Sequence, residues 1–202
     1  GSTDETVSIV KDYQAQLPNL SVYVSKRGIS RQRNYGAKKA QYDNIVFLDA
    51  DMRVSKNTLR KIGKHFRQNN TFTAVPLLIP YDGKWVDVPL AAIGYLFFMM
   101  VQRKHPILSG MCIVTTKQVH ERIGGFHERV AVAEDIDYGF RAHRSGAKYH
   151  ILFNIVVKGS ARRFDRSGRL KVATTWAKWY KQTVKSGPLV DSDQYDFEFG
   201  KF

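Results

Sequence analysis

One cysteine, Cys112, is all that the 202-residue chain contains. A lone thiol excludes an intrachain disulfide and a zinc site built on cysteine pairs, and it fits a reducing, cytoplasmic compartment. Long hydrophobic runs are missing as well. The apolar stretch from Leu90 to Val101 has twelve residues, where a bilayer-spanning helix needs about 20. The six histidines show no H-x-x-x-H or related spacing, so none is assigned to a metal. There is no internal repeat, no low-complexity tract and no recognised nucleic-acid motif, and nucleic acid is not an expected partner. Acids are scarce: 18 Asp and Glu stand against 32 Lys and Arg, for a net charge of +14. What is present suits a globular protein. Hydrophobic residues make up 43%, and a chain of this length can bury a sizeable core.

With so few acids, the places where carboxylates gather are informative. The first is Ile45-Val46-Phe47-Leu48-Asp49-Ala50-Asp51. The apolar run suits a buried strand. The two aspartates then fall where that strand leaves its sheet, and side chains two apart on extended backbone point to one side. Open α/β sheets place ligands at the carboxyl ends of strands. Two carboxylates there can hold a hard divalent cation, which in turn binds a diphosphate. A strand ending in an acidic turn is the plainer alternative.

The second gathering is Glu134-Asp135-Ile136-Asp137. Gly124-Gly125-Phe126 precedes it, a glycine stop after the helical stretch Lys117–Ile123. From Glu134 the pattern is helical, with Ile136, Phe140 and His143 on one side and Ser145-Gly146 at the end. Acids at a helix start complement its positive end, which is a structural reason for their presence. Arg141 either approaches a bound diphosphate or pairs with Asp137 at i, i+4.

Taken together, six segments resemble family 2 glycosyltransferases. Gly1-Ser2-Thr3-Asp4-Glu5-Thr6 looks like the tail of the family's D-D-G-S-x-D-x-T motif. Gly28-Ile29-Ser30-Arg31-Gln32-Arg33-Asn34-Tyr35-Gly36-Ala37 resembles its G-x-S-x-A-R-N-x-G segment. Phe47 to Asp51 matches F-L-D-A-D. Ser109-Gly110-Met111-Cys112, Ile123-Gly124-Gly125-Phe126 and Glu134-Asp135 follow in the family's order. Each motif is weak alone; six in order are specific. Gln32 stands where the family often has alanine. The Q-x-x-R-W motif of processive polymerases is absent, and Arg162-Arg163-Phe164 lies near its place without reproducing it. That argues against a polymerase of the cellulose-synthase kind.

The resemblance covers roughly residues 1 to 165 and leaves 166 to 202 as a basic amphipathic helix with a C-terminal tail. It implies an α/β GT-A nucleotide-binding domain with a mainly parallel, mixed sheet flanked by helices. Because the first motif is entered part-way, the domain is expected to be N-terminally truncated, marginally stable and a poor nucleotide binder by itself. Periodicity gives helices over Thr6–Ala15, Ser30–Ala40 and, with Ser55 as N-cap, up to about Arg67, where Leu59, Ile62 and Phe66 share a face. Strands are expected at Leu20–Val24, Ile45–Leu48, Thr73–Ile79, Ile113–Thr115, Tyr149–Phe153 and Ile155–Val157. Such alternation indicates an α/β domain.

Charge concentrates late in the chain. Nine Lys or Arg and one acid, Asp165, lie between Lys158 and Lys185. Residues 169 to 185 pattern as an amphipathic helix. Val172, Ala173, Trp176, Trp179, Tyr180 and Val184 share one face; Lys171, Lys178, Lys181 and Lys185 share the other. The helix either packs its aromatic face on the core or rests on anionic lipid. Leu90 to Val101 is apolar on all sides, so it is either a buried core helix or a membrane-dipping segment.

The resemblance also assigns roles. Asp135 is the catalytic base. Asp49 and Asp51 hold Mn²⁺ or Mg²⁺, Asp51 as the direct ligand and Asp49 at the ribose or the metal. Asp4, Arg33 and Glu134 serve the nucleotide-sugar donor, and Gly110 and Met111 border its sugar. Neighbouring Glu134 and Asp137 would raise the pKa of Asp135 by like-charge repulsion. The expected activity is inverting transfer from a nucleotide-diphosphate sugar to a hydroxyl of a lipid-linked or cell-envelope glycan, at the cytoplasmic face of a membrane that the basic helix contacts peripherally. The rival is a catalytically inactive basic domain that binds anionic membrane or nucleic acid.

Overall fold

A computed structural model describes residues 2–68 and 71–190. The elements run α1 (Thr6–Gln14), α2 (Ile29–Lys39), β1 (Asn44–Leu48), β2 (Arg53–Val54), α3 (Thr58–Gln68), β3 (Phe72–Pro80), α4 (Asp87–Val101), β4 (Cys112–Thr116), α5 (Lys117–Arg122), β5 (Val130–Val132), α6 (Glu134–Arg144), β6 (Lys148–Gly159), α7 (Arg162–Ser167), α8 (Arg169–Ser186) and β7 (Leu189–Val190). A five-stranded sheet has the order β1-β4-β3-β6-β2, and β5 pairs with β7 in a separate ribbon.

The α/β class expected from the alternation holds, but strand direction differs from a mainly parallel sheet. β3 and β6 run parallel. The pairs β1–β4, β3–β4 and β2–β6 are antiparallel. Alternation of helix and strand fixes the order of elements, not their sense. The long passage from 81 to 111 brings β4 back against the direction of β3. The expected strand at Leu20–Val24 does not form. It finds no ladder among the described residues, and Tyr23 and Val24 face solvent. The two strands expected over 149–157 are one. A bulge sets Pro76 opposite Leu152 but Leu77 opposite Val156, so β6 absorbs the irregularity without ending. Ser55 stands in the turn before α3, its N–H donating to Thr58 Oγ1 at 3.0 Å. The tail from 191 to 202 lies outside the described residues.

Both faces of the sheet are covered, which is why its strands are continuous apolar runs. On one face Ile45, Phe47, Val75 and Ile113 pack with Ala37 of α2 and with Phe126 and Tyr138. On the other, Val46, Ala74 and Val114 meet Ile62 and Phe66 of α3. Neighbours in sequence therefore separate to opposite faces, the period of two that extended backbone imposes.

A third cluster joins α4, α6 and α8. Ile136 and Phe140 pack with Phe98, Val101, Trp179, Tyr180 and Val184. On the aromatic face of α8, Val172 is buried and Trp179, Tyr180 and Val184 are half-buried, while Ala173, Trp176 and the lysines are exposed. For α4 the buried-core reading fails: among its residues only Asp87 is buried.

Candidate active site

The site forms where β1 ends. Leu48 pairs with Cys112 at the start of β4, and one residue on, the Asp49 N–H donates to the Met111 carbonyl at 3.1 Å. This bond lays the Ser109–Met111 segment against the aspartate pair. Asp51 lies beyond the ladder, half exposed, with an Arg162 guanidinium nitrogen 3.7 Å from its carboxylate.

Arg33 ties the segments together. It projects from α2, and its side chain is only 10% exposed. Nη1 donates to Glu134 Oε1 at 2.8 Å; Nη2 donates to Asp49 Oδ1 at 2.9 Å and to the Gly110 carbonyl at 2.8 Å. Its guanidinium also lies 5.3 Å from the centre of the Phe126 ring. Burial alone would lower its pKa; the charges of Asp49 and Glu134 reverse that and hold it above the ordinary arginine value. Arg33 is therefore a largely buried, engaged side chain rather than a solvent-facing one of a basic helix. Five of the six motif segments meet at this one side chain.

Asp135 sits behind the knot. The Gly110 N–H donates to its Oδ2 at 2.6 Å, and the Ile136 N–H to its Oδ1 at 2.9 Å. Burial first, then the charge of Glu134, push its carboxyl up to about 7, against the pull of the Gly110 N–H and Arg33. The like charge that matters is Glu134; Asp137 is committed elsewhere, accepting from Arg141 Nε at 2.8 Å. The acidic pair is aimed by Ala133, the N-cap of α6, which holds φ 60°, ψ 35°. That left-handed conformation is uncommon for a side chain with a Cβ. Gly110 is needed for close approach: a Cβ there would lie 3.1 Å from Arg33 Nη2 and 3.2 Å from Asp135 Oδ2.

The model of glycosyl transferase family 2 matches residues 1–124. The chain belongs to that family. Over 81 residues it is 36% identical to the minor teichoic acid biosynthesis protein GgaB of Bacillus subtilis (strain 168), a match covering 38% of this chain and 9% of that protein. The mannosyltransferase PcManGT of Pyrobaculum calidifontis, solved with GDP-Man and Mn²⁺, superposes with a TM-score of 0.63 at 20% identity, over 88% of this chain and 52% of its own. For S. aureus TarS 1-349 the TM-score is 0.60 at 19% identity, over 81% and 50% of the two chains. This chain therefore spans about half the length of the solved relatives. At these identities the superpositions establish the shared GT-A fold, and the family match agrees with it.

In this family 2 chain, one pairing that carries the site was not drawn from the sequence. Asn34 faces the Phe126 backbone and binds both its groups. The Phe126 N–H donates to Asn34 Oδ1 at 2.7 Å, and Asn34 Nδ2 donates to the Phe126 carbonyl at 2.8 Å. The asparagine imitates a neighbouring strand and fastens the G-G-F turn to α2. Gly125, with φ 72°, has no room for a side chain, since a Cβ would come within 2.6 Å of Asn34 Oδ1. The signal was the adjacency of Arg33 and Asn34 within the segment that resembles the family's G-x-S-x-A-R-N-x-G motif. Arg141 turns away from the knot; Nη1 donates to the carbonyls of Ile123 and Gly125, both at 2.7 Å, while Nε serves Asp137. This is the i, i+4 pairing weighed from the sequence. Asp4 opens α1, accepting from the Thr6 N–H at 3.1 Å and Thr6 Oγ1 at 2.6 Å.

Among the described residues no cluster of three or more His, Cys, Asp or Glu is placed to cage an ion. Asp49 and Asp51 fit a different kind of site. Mg²⁺ and similar ions are commonly held by one or two carboxylates together with substrate phosphates. Asp51 is half exposed and Asp49 gives only Oδ1 to Arg33, so both keep oxygens for such an ion.

Proposed function

We propose that the chain transfers a sugar, with inversion, from a nucleotide-diphosphate sugar to a hydroxyl of a lipid-linked or cell-envelope glycan at the cytoplasmic face of a membrane. The observation that carries this reading is the knot: Arg33 joins Asp49 at the strand end to Glu134 beside the base. The similarity to a teichoic acid biosynthesis protein supports an envelope acceptor. The fold neighbours solved with UDP-GlcNAc, and with GDP-Man and Mn²⁺, support a nucleotide-sugar donor.

Asp135 receives the proton of the acceptor hydroxyl. A carboxyl raised to about 7 is a far better base than an ordinary one, and near neutral pH an appreciable fraction of it is ionised. As that proton leaves, the acceptor oxygen bonds to the anomeric carbon, while the bond from that carbon to the diphosphate oxygen breaks. One displacement inverts the centre and needs no covalent enzyme intermediate. Gly110 and Met111 border the sugar. Arg33 is a positioning residue that holds Asp49, Glu134 and the Gly110 backbone in register. Asp49 and Asp51 would hold Mn²⁺ or Mg²⁺, which when bound supplies positive charge for the departing diphosphate. Asp4 reaches toward the nucleotide from the start of α1.

The test is donor turnover. The protein is incubated with a panel of nucleotide sugars, with Mn²⁺, Mg²⁺ or a chelator, and released nucleoside diphosphate is measured. Release from one donor, dependent on the metal, is expected. No release from any donor in the presence of envelope glycan would leave the inactive-domain rival standing. Asp51→Ala should abolish metal-dependent nucleotide binding by calorimetry while the melting profile stays unchanged.

A further inference from the structure

Helix α4 divides into two faces. Tyr95 pins one to the sheet: its hydroxyl donates to the Pro76 carbonyl at 2.9 Å and accepts from the Leu78 N–H. Phe98 and Val101 pack on the same side against the α6–α8 cluster. At the helix start Asp87 is buried under Arg169 of α8, with Nε at 2.5 Å and Nη2 at 2.7 Å. Further along, Phe97 meets Tyr180 edge-on at 5.4 Å. Contacts at both ends therefore fix α4 beside α8.

The other face has no partner among the described residues. Trp85, in the turn just before the helix, is 84% exposed, and on the helix Val88 is 61%, Ile93 62%, Leu96 56% and Met100 80%. Between residues 85 and 100, seven large hydrophobics are exposed, a third of the 21 exposed among the described residues. Single exposed apolar side chains are ordinary; a contiguous run along a helix is not. At 1.5 Å per residue the stripe extends about 20 Å. No helix is long and apolar enough to cross a membrane.

Charge decides between occupants. The stripe ends in the exposed Arg103 and Lys104, on a chain whose net charge is +14. A second copy seated on this face would set one positive border against another. An anionic surface neutralises it. We infer that the exposed face of α4, led by Trp85 and bordered by these cations, docks on anionic lipid, lying in the headgroup region without spanning it. The aromatic face of α8, the candidate from the sequence, gives Trp179, Tyr180 and Val184 to the cluster with α6 and leaves Trp176 38% exposed. The inference deepens the proposed function, because a surface-bound enzyme meets a lipid-linked acceptor in two dimensions, but it is read without donor or acceptor and so fails separately.

The test is co-sedimentation of the 202-residue protein with neutral phosphatidylcholine vesicles and with vesicles containing phosphatidylglycerol. Binding to the anionic vesicles that weakens with salt is expected. Ile93→Ser/Leu96→Ser/Met100→Ser should lower the partition coefficient about tenfold or more. Asp135→Asn should bind vesicles like the unaltered protein. Three results overturn the inference: no co-sedimentation of the unaltered protein, equal binding to neutral vesicles, or a folded triple variant that binds undiminished. Light scattering that shows a dimer lost in the triple variant, with no vesicle binding, assigns the face to a second copy instead. Since the first arm uses the unaltered protein, poor folding of the triple variant does not shield the inference.

Discussion

The knot around Arg33 and the outer face of α4 treat their side chains in opposite ways. At the knot, Arg33 and Glu134 are withdrawn from water, and the guanidinium of Arg33 and the carboxyl of Asp135 find partners within the chain. On α4, apolar groups that would gain from leaving water are kept in it. A buried polar group costs free energy unless it is bonded, so a satisfied knot is internally complete. An exposed apolar stripe is a deficit, and what removes the deficit lies outside the described residues. One region satisfies its groups within the chain; the other leaves apolar groups in water among the described residues.

The sharpest way to break the contrast is Arg33→Met. It leaves Asp49, Glu134 and Asp135 facing one another without their cation, which should cost about 3 kcal/mol of stability and abolish turnover. A urea midpoint within error of the unaltered protein would show that the knot is not held by this charge. Next is Asp135→Asn, which keeps the shape and removes the proton acceptor. Turnover should fall roughly a hundredfold or more with donor affinity near normal. In the unaltered protein, turnover should rise with pH through about 7 as this carboxyl ionises.

The same variant carries a stability signature of opposite sign to its activity loss. The folded state holds the Asp135 proton more tightly than the unfolded chain, so this group's contribution to stability falls as pH rises from about 4 to about 7. Asp135→Asn removes that penalty but turns an amide NH2 toward one of the Gly110 and Ile136 N–H groups, so the test is the pH trend: its melting temperature relative to the unaltered protein should be higher at pH 8 than at pH 5. A difference that does not change with pH would mean that the carboxylate is not penalised in the fold.

Third comes Asn34→Ala. It leaves both backbone groups of Phe126 without their partner and should cost about 1–2 kcal/mol, read as a lowered melting temperature. The smallest effect is expected on α4. Leu96→Ser, in a side chain already more than half in water, should change stability by less than about 0.5 kcal/mol. A large loss there would mean that the stripe is packed after all, and the contrast between the two regions would close.

Much of this was legible in the sequence because its signals are local. The run before Asp49 gave β1, and the glycine stops and acidic starts bounded α5 and α6. Six short segments in order gave the family. What was not legible depends on who sits beside whom. Leu20–Val24 has the composition of a strand, but a strand is a ladder, and that segment has no strand beside it among the described residues. The sense of β4 against β3 is set by a long excursion with no directional mark in its residues. Arg33 was picked out, yet its carboxylate partners lie 16 and 101 positions away, and nothing local says that they meet. For α4 the sequence left two readings, a buried core helix or a membrane-dipping segment, and only the fold removes the first by showing one side without a neighbour among the described residues.

Ala133 contributes no functional group, yet it sets the compass of the site. Because the chain turns through a left-handed residue there, α6 must begin at Glu134. A start displaced by one position would swing every side chain of the first turn about 100° around the helix axis. Asp135 would then face away from Gly110, and Glu134 away from Arg33. The orientation of the Asp135 carboxyl is thus fixed by the handedness of its neighbour's backbone, before any hydrogen bond is made.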